Sequence, residues 1–509
     1  MQALHLFDGT ELTIAKIVRL SRGPGLLDLT AESWRRVAAS RQVVDSQLAA
    51  GSAIYGVTTG IGSQKDVHVT GDKMAEFGDR MIISEATDFP GPAAPETAVR
   101  AMLVVLINNL AGGRTGVRPM LIKRMLELYA APRLPTVRLD TSFGTADLTP
   151  LSQLSLALLG RTLEGDAPIL RDRFSLAPKE SVSLIDNNSF ALGAGALVLA
   201  EVERLLGAFD LAAAAALEGL RGGIRAQAEG AAGGYRGEGQ VRARRTLLGA
   251  LKGSRLHRVG EARFLQDPLS FRSITQIHGA AYEVWLWAKT QFEAEINSSA
   301  DNPLVDGDSG ELFTSSSMVS LLPALSLDAL RQALAKTATQ SMERALKLQS
   351  PPFSGLPVGL AAEGAADGGI LSINLNYIGA ARMGTLMAAA APVLLHYVGH
   401  TADGVEDVTS LLPLSVTQTE IVVERAWEAV ALEMLIAVWA MARRQLAIHY
   451  LGPVPRLIYQ TLLPLLHIGE EGERVFDMRA IVAKVRHGGL VEECLSIATG
   501  ELRGSDGLV

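Results

Sequence analysis

One cysteine, Cys494, is all the chain has, so no intramolecular disulfide can form and a reducing compartment is expected. Met1–Thr13 carries charge at Asp8 and Glu11 and lacks the apolar core of a secretory signal. The most apolar stretches contain charges or proline. Ala191–Leu220 holds Glu201, Glu203, Arg204, Asp210 and Glu218, and Met383–Leu395 is broken by Pro392. Neither supplies the roughly 20 uninterrupted apolar residues of a membrane span, so a cytoplasmic protein without membrane attachment is predicted. An excess of positive charge is also missing. The formal net charge is -7, which argues against a nucleic-acid partner. Arg242, Arg244 and Arg245 form a single local basic cluster, read as a solvated helix face. Strand signals are scarce, with Leu4–Phe7 and Pro168–Leu170 the candidates, and no internal repeat is visible.

Helical patterning is what the chain has in abundance. With 48% hydrophobic and 20% charged residues it is a folding chain, not a disordered one. Apolar positions Trp34, Val37, Val43, Val44 and Leu48 mark a helix over Ala31–Ala50. Further helices are predicted at Thr97–Leu110, Arg118–Ala130, Leu151–Leu163, Ser189–Leu220, Ile274–Ile296, Leu322–Leu348, Asn376–Leu395 and Thr417–Leu446. Several exceed ordinary globular length, so the expected fold is mainly α, a long-helix bundle. Alanine-rich runs such as Leu211–Leu217 suit closely approaching helices and an oligomer. Glycine marks a loop over Gly219–Gly239, and proline with glycine a second connection from Ser350 to Gly369. Two regions are expected: residues 1–190, and a long-helix region over 191–509.

The loop Tyr55-Gly56-Val57-Thr58-Thr59-Gly60-Ile61-Gly62 has no lysine placed for phosphate and alone reads as a turn. Four further segments follow in order: Asp147-Leu148-Thr149-Pro150-Leu151, Gln266-Asp267-Pro268-Leu269-Ser270-Phe271-Arg272, Glu295-Ile296-Asn297-Ser298-Ser299-Ala300-Asp301-Asn302-Pro303, and Glu406-Asp407. From about Leu12 to Leu446 the chain thereby resembles the aromatic amino-acid lyases, which comprise histidine, phenylalanine and tyrosine ammonia-lyases and the related aminomutases. The resemblance implies an almost all-α homotetramer built on a central helical bundle, with active sites drawing loops from three subunits.

The pattern breaks at one place. The family cyclises an internal Ala-Ser-Gly into an electrophilic methylidene-imidazolone: the glycine amide attacks the alanine carbonyl, and the serine loses water. Here the segment reads Thr141-Ser142-Phe143-Gly144-Thr145-Ala146-Asp147-Leu148, with Thr145-Ala146 where the triplet belongs. No prosthetic group and no other cofactor is therefore expected. Leu269 replaces the family's tyrosine after Gln-Asp-Pro, with Gln266 retained, and Asp186-Asn187-Asn188 replaces its Asn-Gly-Thr.

The resemblance assigns roles to what remains. Tyr55 matches the base for the β-proton. Arg272 matches the guanidinium that holds the substrate carboxylate. Glu406 matches a glutamate that faces the imidazole in histidine ammonia-lyase. Glu85 and Ile378 fall at ring-selecting positions. The bland alternatives are packing for Tyr55, a structural ion pair for Arg272, a subunit interface for Glu406 and a solvent-facing helix position for Glu85. His396 and His400 have metal-like spacing without a third ligand, so no metal is expected. The lost triplet resembles the ergothionase branch, which eliminates trimethylamine from a histidine betaine. The expectation is thus a prosthetic-group-independent elimination from a zwitterionic, ergothioneine-like betaine, with an anionic Asp186 facing the quaternary ammonium. A lyase or isomerase acting on another β-aryl amino acid, and a non-catalytic relative binding a small acid or a partner, are the alternatives.

Overall fold

Helices start where the sequence caps them. The Thr30 side chain accepts a hydrogen bond from the Ser33 amide, and Ala31–Ala49 begins there. Pro119 stands in the first turn of Pro119–Ala130, where a missing N–H leaves no bond unmade. The computed structural model describes residues 4–235, 237–362, 370–466 and 476–500. Helix dominates them, as the patterning predicts. The longest helices are Ser189–Leu220, Ile274–Ile296, Leu321–Leu348, Ile370–Ala389 and Leu412–Arg443.

The departures from expectation have local causes. Leu148–Leu158 begins earlier than the predicted start at Leu151, because Pro150 is tolerated in a first helical turn. The helix predicted over Asn376–Leu395 runs over Ile370–Ala389, ending ahead of Pro392, which disfavours helical backbone before it. Leu412–Arg443 starts ahead of the predicted Thr417. Leu4–Phe7 forms a strand over His5–Phe7, paired in parallel with Leu27–Leu29, whereas Pro168–Leu170 forms none. The antiparallel hairpin Leu304–Asp306 with Glu311–Phe313 has strands too short for alternation to reveal. Gly219–Gly239 contains two 3-10 turns, Ile224–Gln227 and Glu229–Ala232. Of the connection from Ser350 to Gly369, the glycines Gly364, Gly368 and Gly369 lie outside the described residues, as does the start of Met1–Thr13.

The chain divides into two compact units. The first comprises Met1–Ala200, Ala288–Asp328 and Pro392–Thr417. In it, Ile14–Ser21 packs on Glu96–Ala111, and Gly71–Glu85 packs against Leu148–Leu158 and the short helix Glu180–Ile185. Glu85 ends the first of these three helices and Asp186 follows the last.

The second unit comprises Glu201–Trp287, Ala329–Ala391 and Gln418–Val509. Leu211–Leu217 is wholly buried, with Trp427 and Trp439 also in the core. Arg344 is buried too and forms a two-pronged ion pair with Glu433, Nη2 to Oε2 2.8 Å. Asp210 sits between the His278 ring and the Tyr282 hydroxyl at 2.7 and 3.2 Å. Cys494 is buried as a free thiol, its pKa pushed up to about 12 by desolvation. Among the described residues no helix is long and apolar enough to cross a membrane.

Candidate active site

Tyr55 is held by its own loop. Its hydroxyl oxygen accepts a hydrogen bond from the Gly62 amide at 2.9 Å. Thr58 Oγ1 accepts from the Ile54 amide at 2.7 Å and closes the turn. Gly56 has φ +68, and a Cβ there would stand 2.5 Å from Val182 Cγ2, so only glycine lets the loop lie on the helix Glu180–Ile185. Burial raises the Tyr55 pKa. The Gly62 N–H opposes that shift, and negative charge at Asp186 and Glu406 adds to it.

Three carboxyls share this surroundings. The Asp186 amide donates to Val182 O at 2.8 Å, closing the end of the helix. Its side chain makes no hydrogen bond among the described residues. Burial pushes its pKa up to about 8, the charge of Asp301 adds to the rise, Lys179 opposes it and Glu406 adds again. Lys179 is committed elsewhere: it is fully buried and paired with Asp301 at 2.6 Å, with Ser183 Oγ donating to the same carboxylate oxygen at 2.7 Å. Burial thus works against the expected anion at Asp186, and the lysine that would balance its charge is already used. Burial, then the charge of Glu406, raises the Glu85 pKa. Glu406 Oε2 accepts from Thr401 Oγ1 at 2.8 Å, and the backbones of the two residues pair across a short bridge. Tyr55, Glu85, Asp186 and Glu406 thus converge within the first unit.

The segment Thr141–Asp147 packs on Val408, Thr409 and Ser410, residues that carry no motif. Thr145 Oγ1 donates to Val408 O at 3.0 Å, Ser410 Oγ donates to Gly144 O at 2.9 Å, and Thr409 Oγ1 donates to Phe143 O. Gly144 takes φ +93, and a Cβ on it would lie 2.6 Å from Ser410 Oγ. Ser142 Oγ donates to Asp147 Oδ1 at 2.8 Å, while Asp147 Oδ2 accepts from the Ala191 amide at 2.9 Å. Asp147 is fully buried, which pushes its pKa up to about 6.

The remaining expected positions lie in the second unit. Asp267 is buried, and its Oδ2 accepts from the Gly223 amide at 2.5 Å, fixing the turn that carries Gln266. Gln266 is exposed, Leu269 is 66% exposed and Ile378 is 50% exposed on the single chain. Arg272 Nε donates to Asp267 O at 2.7 Å. Its terminal nitrogens have no partner among the described residues, so the structural ion pair considered for it is not formed. His396 and His400 are exposed on an irregular segment after Ile370–Ala389, so their spacing has no helical meaning. Among the described residues no three His, Cys, Asp or Glu side chains gather as a metal site.

Comparison with known proteins converges on one family. The sequence model described as aromatic amino acid lyase matches residues 12–462. A histidine ammonia-lyase of Geobacillus sp. (strain WCH70) is 30% identical over 475 residues, 89% of this chain and 91% of the relative. One from Anaeromyxobacter sp. (strain K) is 29% identical over 95% of this chain and 99% of its own length. The fold matches the ergothionase of Treponema denticola, solved with desmethyl-ergothioneine sulfonic acid, at TM-score 0.85 and 22% identity over 97% of this chain and 99% of that one. It matches the histidine ammonia-lyase of Trypanosoma cruzi at TM-score 0.84 and 24% identity over 98% and 96%. These findings overturn the expected trimethylamine elimination. The ergothionase is similar only as a fold and no more so than a histidine ammonia-lyase structure, while the relatives similar over most of the sequence are named histidine ammonia-lyases.

Proposed function

The chain belongs to the aromatic amino acid lyase family, and on that premise we propose that it is a carbon–nitrogen lyase acting on an imidazole-bearing amino acid of the histidine class. The convergence of Glu85 and Glu406 beside Tyr55 carries this reading. A pair of carboxyls in which the charge of Glu406 adds to the raised proton affinity of Glu85 suits a ring with N–H groups or a positive charge. They disfavour a plain phenyl ring, which would cover them without offering either a hydrogen-bond donor.

In this reading Tyr55 takes the β-proton. The C–H electron pair becomes the Cα=Cβ bond, the Cα–N bond breaks, and the amine departs with its electron pair to leave an aryl acrylate. A raised pKa disfavours the phenolate that acts as the base. A cationic substrate placed against it lowers the cost of the phenolate, and the Gly62 N–H already points at the oxygen. The terminal nitrogens of Arg272, without a partner among the described residues, suit a two-pronged hold on the substrate carboxylate. Asp186, kept neutral, offers an O–H donor where the family places an asparagine amide. Gln266, Leu269 and Ile378 are assigned to the substrate pocket, Leu269 and Ile378 as apolar walls.

The family's methylidene-imidazolone does not fit the residues present. Ser142 is followed by Phe143 and its hydroxyl is engaged by Asp147, Ala146 has no hydroxyl to lose, and the Gly144 carbonyl is held by Ser410. No step proposed here runs through that group, and Thr141–Asp147 is expected to be unmodified. Intact mass and peptide mapping test this: a loss of two waters in that segment would overturn it. A homotetramer is also proposed, supported in the second unit by apolar side chains of Ile370–Ala389, among them Ile370, Tyr377 and Ile378, that are exposed on the single chain.

The deciding experiment is incubation of the purified protein with L-histidine, L-tyrosine and L-phenylalanine while following released ammonia and a near-ultraviolet acrylate band. Histidine is expected to react and the other two to lag. No product from any of the three would sink the proposal.

A further inference from the structure

In the second unit lies a cavity of about 540 Å³ lined by Glu229, Ala232, Gly234, Tyr235, Val241, Arg244, Arg245 and Leu248. Its floor is one face of the helix Glu238–Ala250. Val241, Arg244, Arg245 and Leu248 fall at i, i+3, i+4 and i+7, so two guanidinium groups stand between two apolar side chains. The 3-10 turn Glu229–Ala232 and Tyr235 form the opposite side.

The basic cluster at 242–245 is divided in its commitments. Arg242 pairs with Glu203 at 2.9 Å and lies over the Tyr282 and Trp285 rings. It is part of the fold. Arg244 and Arg245 have no hydrogen-bond or ion-pair partner among the described residues, and Arg244 Nη2 is shielded from solvent with its donors unused. Glu229 lines the same cavity, also without an ion pair among the described residues, so a carboxylate and two guanidinium groups share one space without closing on each other. A shielded guanidinium nitrogen without an acceptor is costly, and a ligand acceptor removes that cost.

We propose that this cavity is a second binding site for a zwitterionic α-amino acid with an apolar or aromatic side chain. Its carboxylate meets Arg244 and Arg245, its ammonium meets Glu229, and its side chain lies against Val241, Leu248 and the Tyr235 ring. The volume falls in the range of small-molecule sites. Two separated charges of opposite sign select a zwitterion over a simple anion.

Hydrogen–deuterium exchange of the full-length protein with L-phenylalanine as probe tests the site. Phenylalanine is expected to protect peptides covering residues 229–235 and 241–248. Arg244→Gln combined with Arg245→Gln should weaken that protection about tenfold or more, and Glu229→Gln should weaken it as well, since each removes a charged partner. Phenylacetate and phenethylamine, each carrying one of the two charges, should protect poorly. No protection at all, protection unchanged in the arginine double variant, or equal protection by phenylacetate would each overturn the proposal. If the double variant melts early, Glu229→Gln decides: unchanged phenylalanine protection in it refutes the site.

Discussion

Tyr55 and Asp186 share one neighbourhood, and burial acts on both in the same direction, toward the protonated form. For Tyr55 the protonated form is the resting state of a base. Tyr55→Phe removes the hydroxyl and its hydrogen bond from Gly62 while leaving the ring. Turnover of a histidine-class substrate is expected to fall by about 10²–10⁴, with substrate binding nearly unchanged. Steady-state kinetics paired with equilibrium binding reads the difference. Wild-type turnover in this variant would remove Tyr55 from the mechanism. For Asp186 the consequence is a pH dependence of stability. Its folded-state pKa of about 8 lies above the ordinary 3.8, so between those values the native state binds the extra proton. Its contribution is therefore present in full below about pH 4 and is lost as pH rises through about 8. Asp186→Asn cannot titrate. Its melting temperature should gain on wild type as pH rises, by the equivalent of up to about 5 kcal/mol at pH 8.5 and by little near pH 4. The same offset at both pH values would show that Asp186 is ionised in the native protein. Near pH 6 the variant should also retain most activity, since an amide replaces a neutral acid.

At the scale of elements, the best-determined features are those that one side chain locks. Gly144 carries φ +93, and its missing Cβ leaves room for Ser410 Oγ and the Leu411 and Leu412 amides. Gly144→Ala should destabilise the protein by about 1–3 kcal/mol, read from denaturant midpoints, because both the backbone angle and the space are denied. Arg344→Ala should cost more, about 3–5 kcal/mol, since it leaves Glu433 buried without its cation. A Glu433→Gln change added to it should restore part of the loss, which simple removal of packing would not allow.

These same elements separate what could be read in the sequence from what could not. Ser189–Leu220 and Ile274–Ile296 were legible to the residue, because long apolar patterning survives any tertiary context. Tyr55, Glu85 and Glu406 could be named in advance from motif and position. The protonation of Asp186 could not, because it depends on Lys179 being spent on Asp301, 122 residues away in sequence. Nor could Thr409 and Ser410, ordinary hydroxyl residues whose place under the Thr141–Asp147 segment arises only from the fold.

On the scale of the whole molecule, the apolar residues that face solvent on a lone chain ask for cover. Tyr377 is 73% exposed, Leu269 66% and Ile370 64%. A tetramer is the expected state, and light scattering showing monomers at micromolar concentration would refute it. Two of the positions assigned to substrate, Leu269 and Ile378, are among these uncovered residues. If neighbouring copies supply their cover, then the catalyst is a property of the assembly rather than of the polypeptide. Specific activity should then fall on dilution, with a lag on reconcentration. Mixing two inactive variants, Tyr55→Phe with Arg272→Gln, should regenerate a fraction of the activity by pairing an intact half from each.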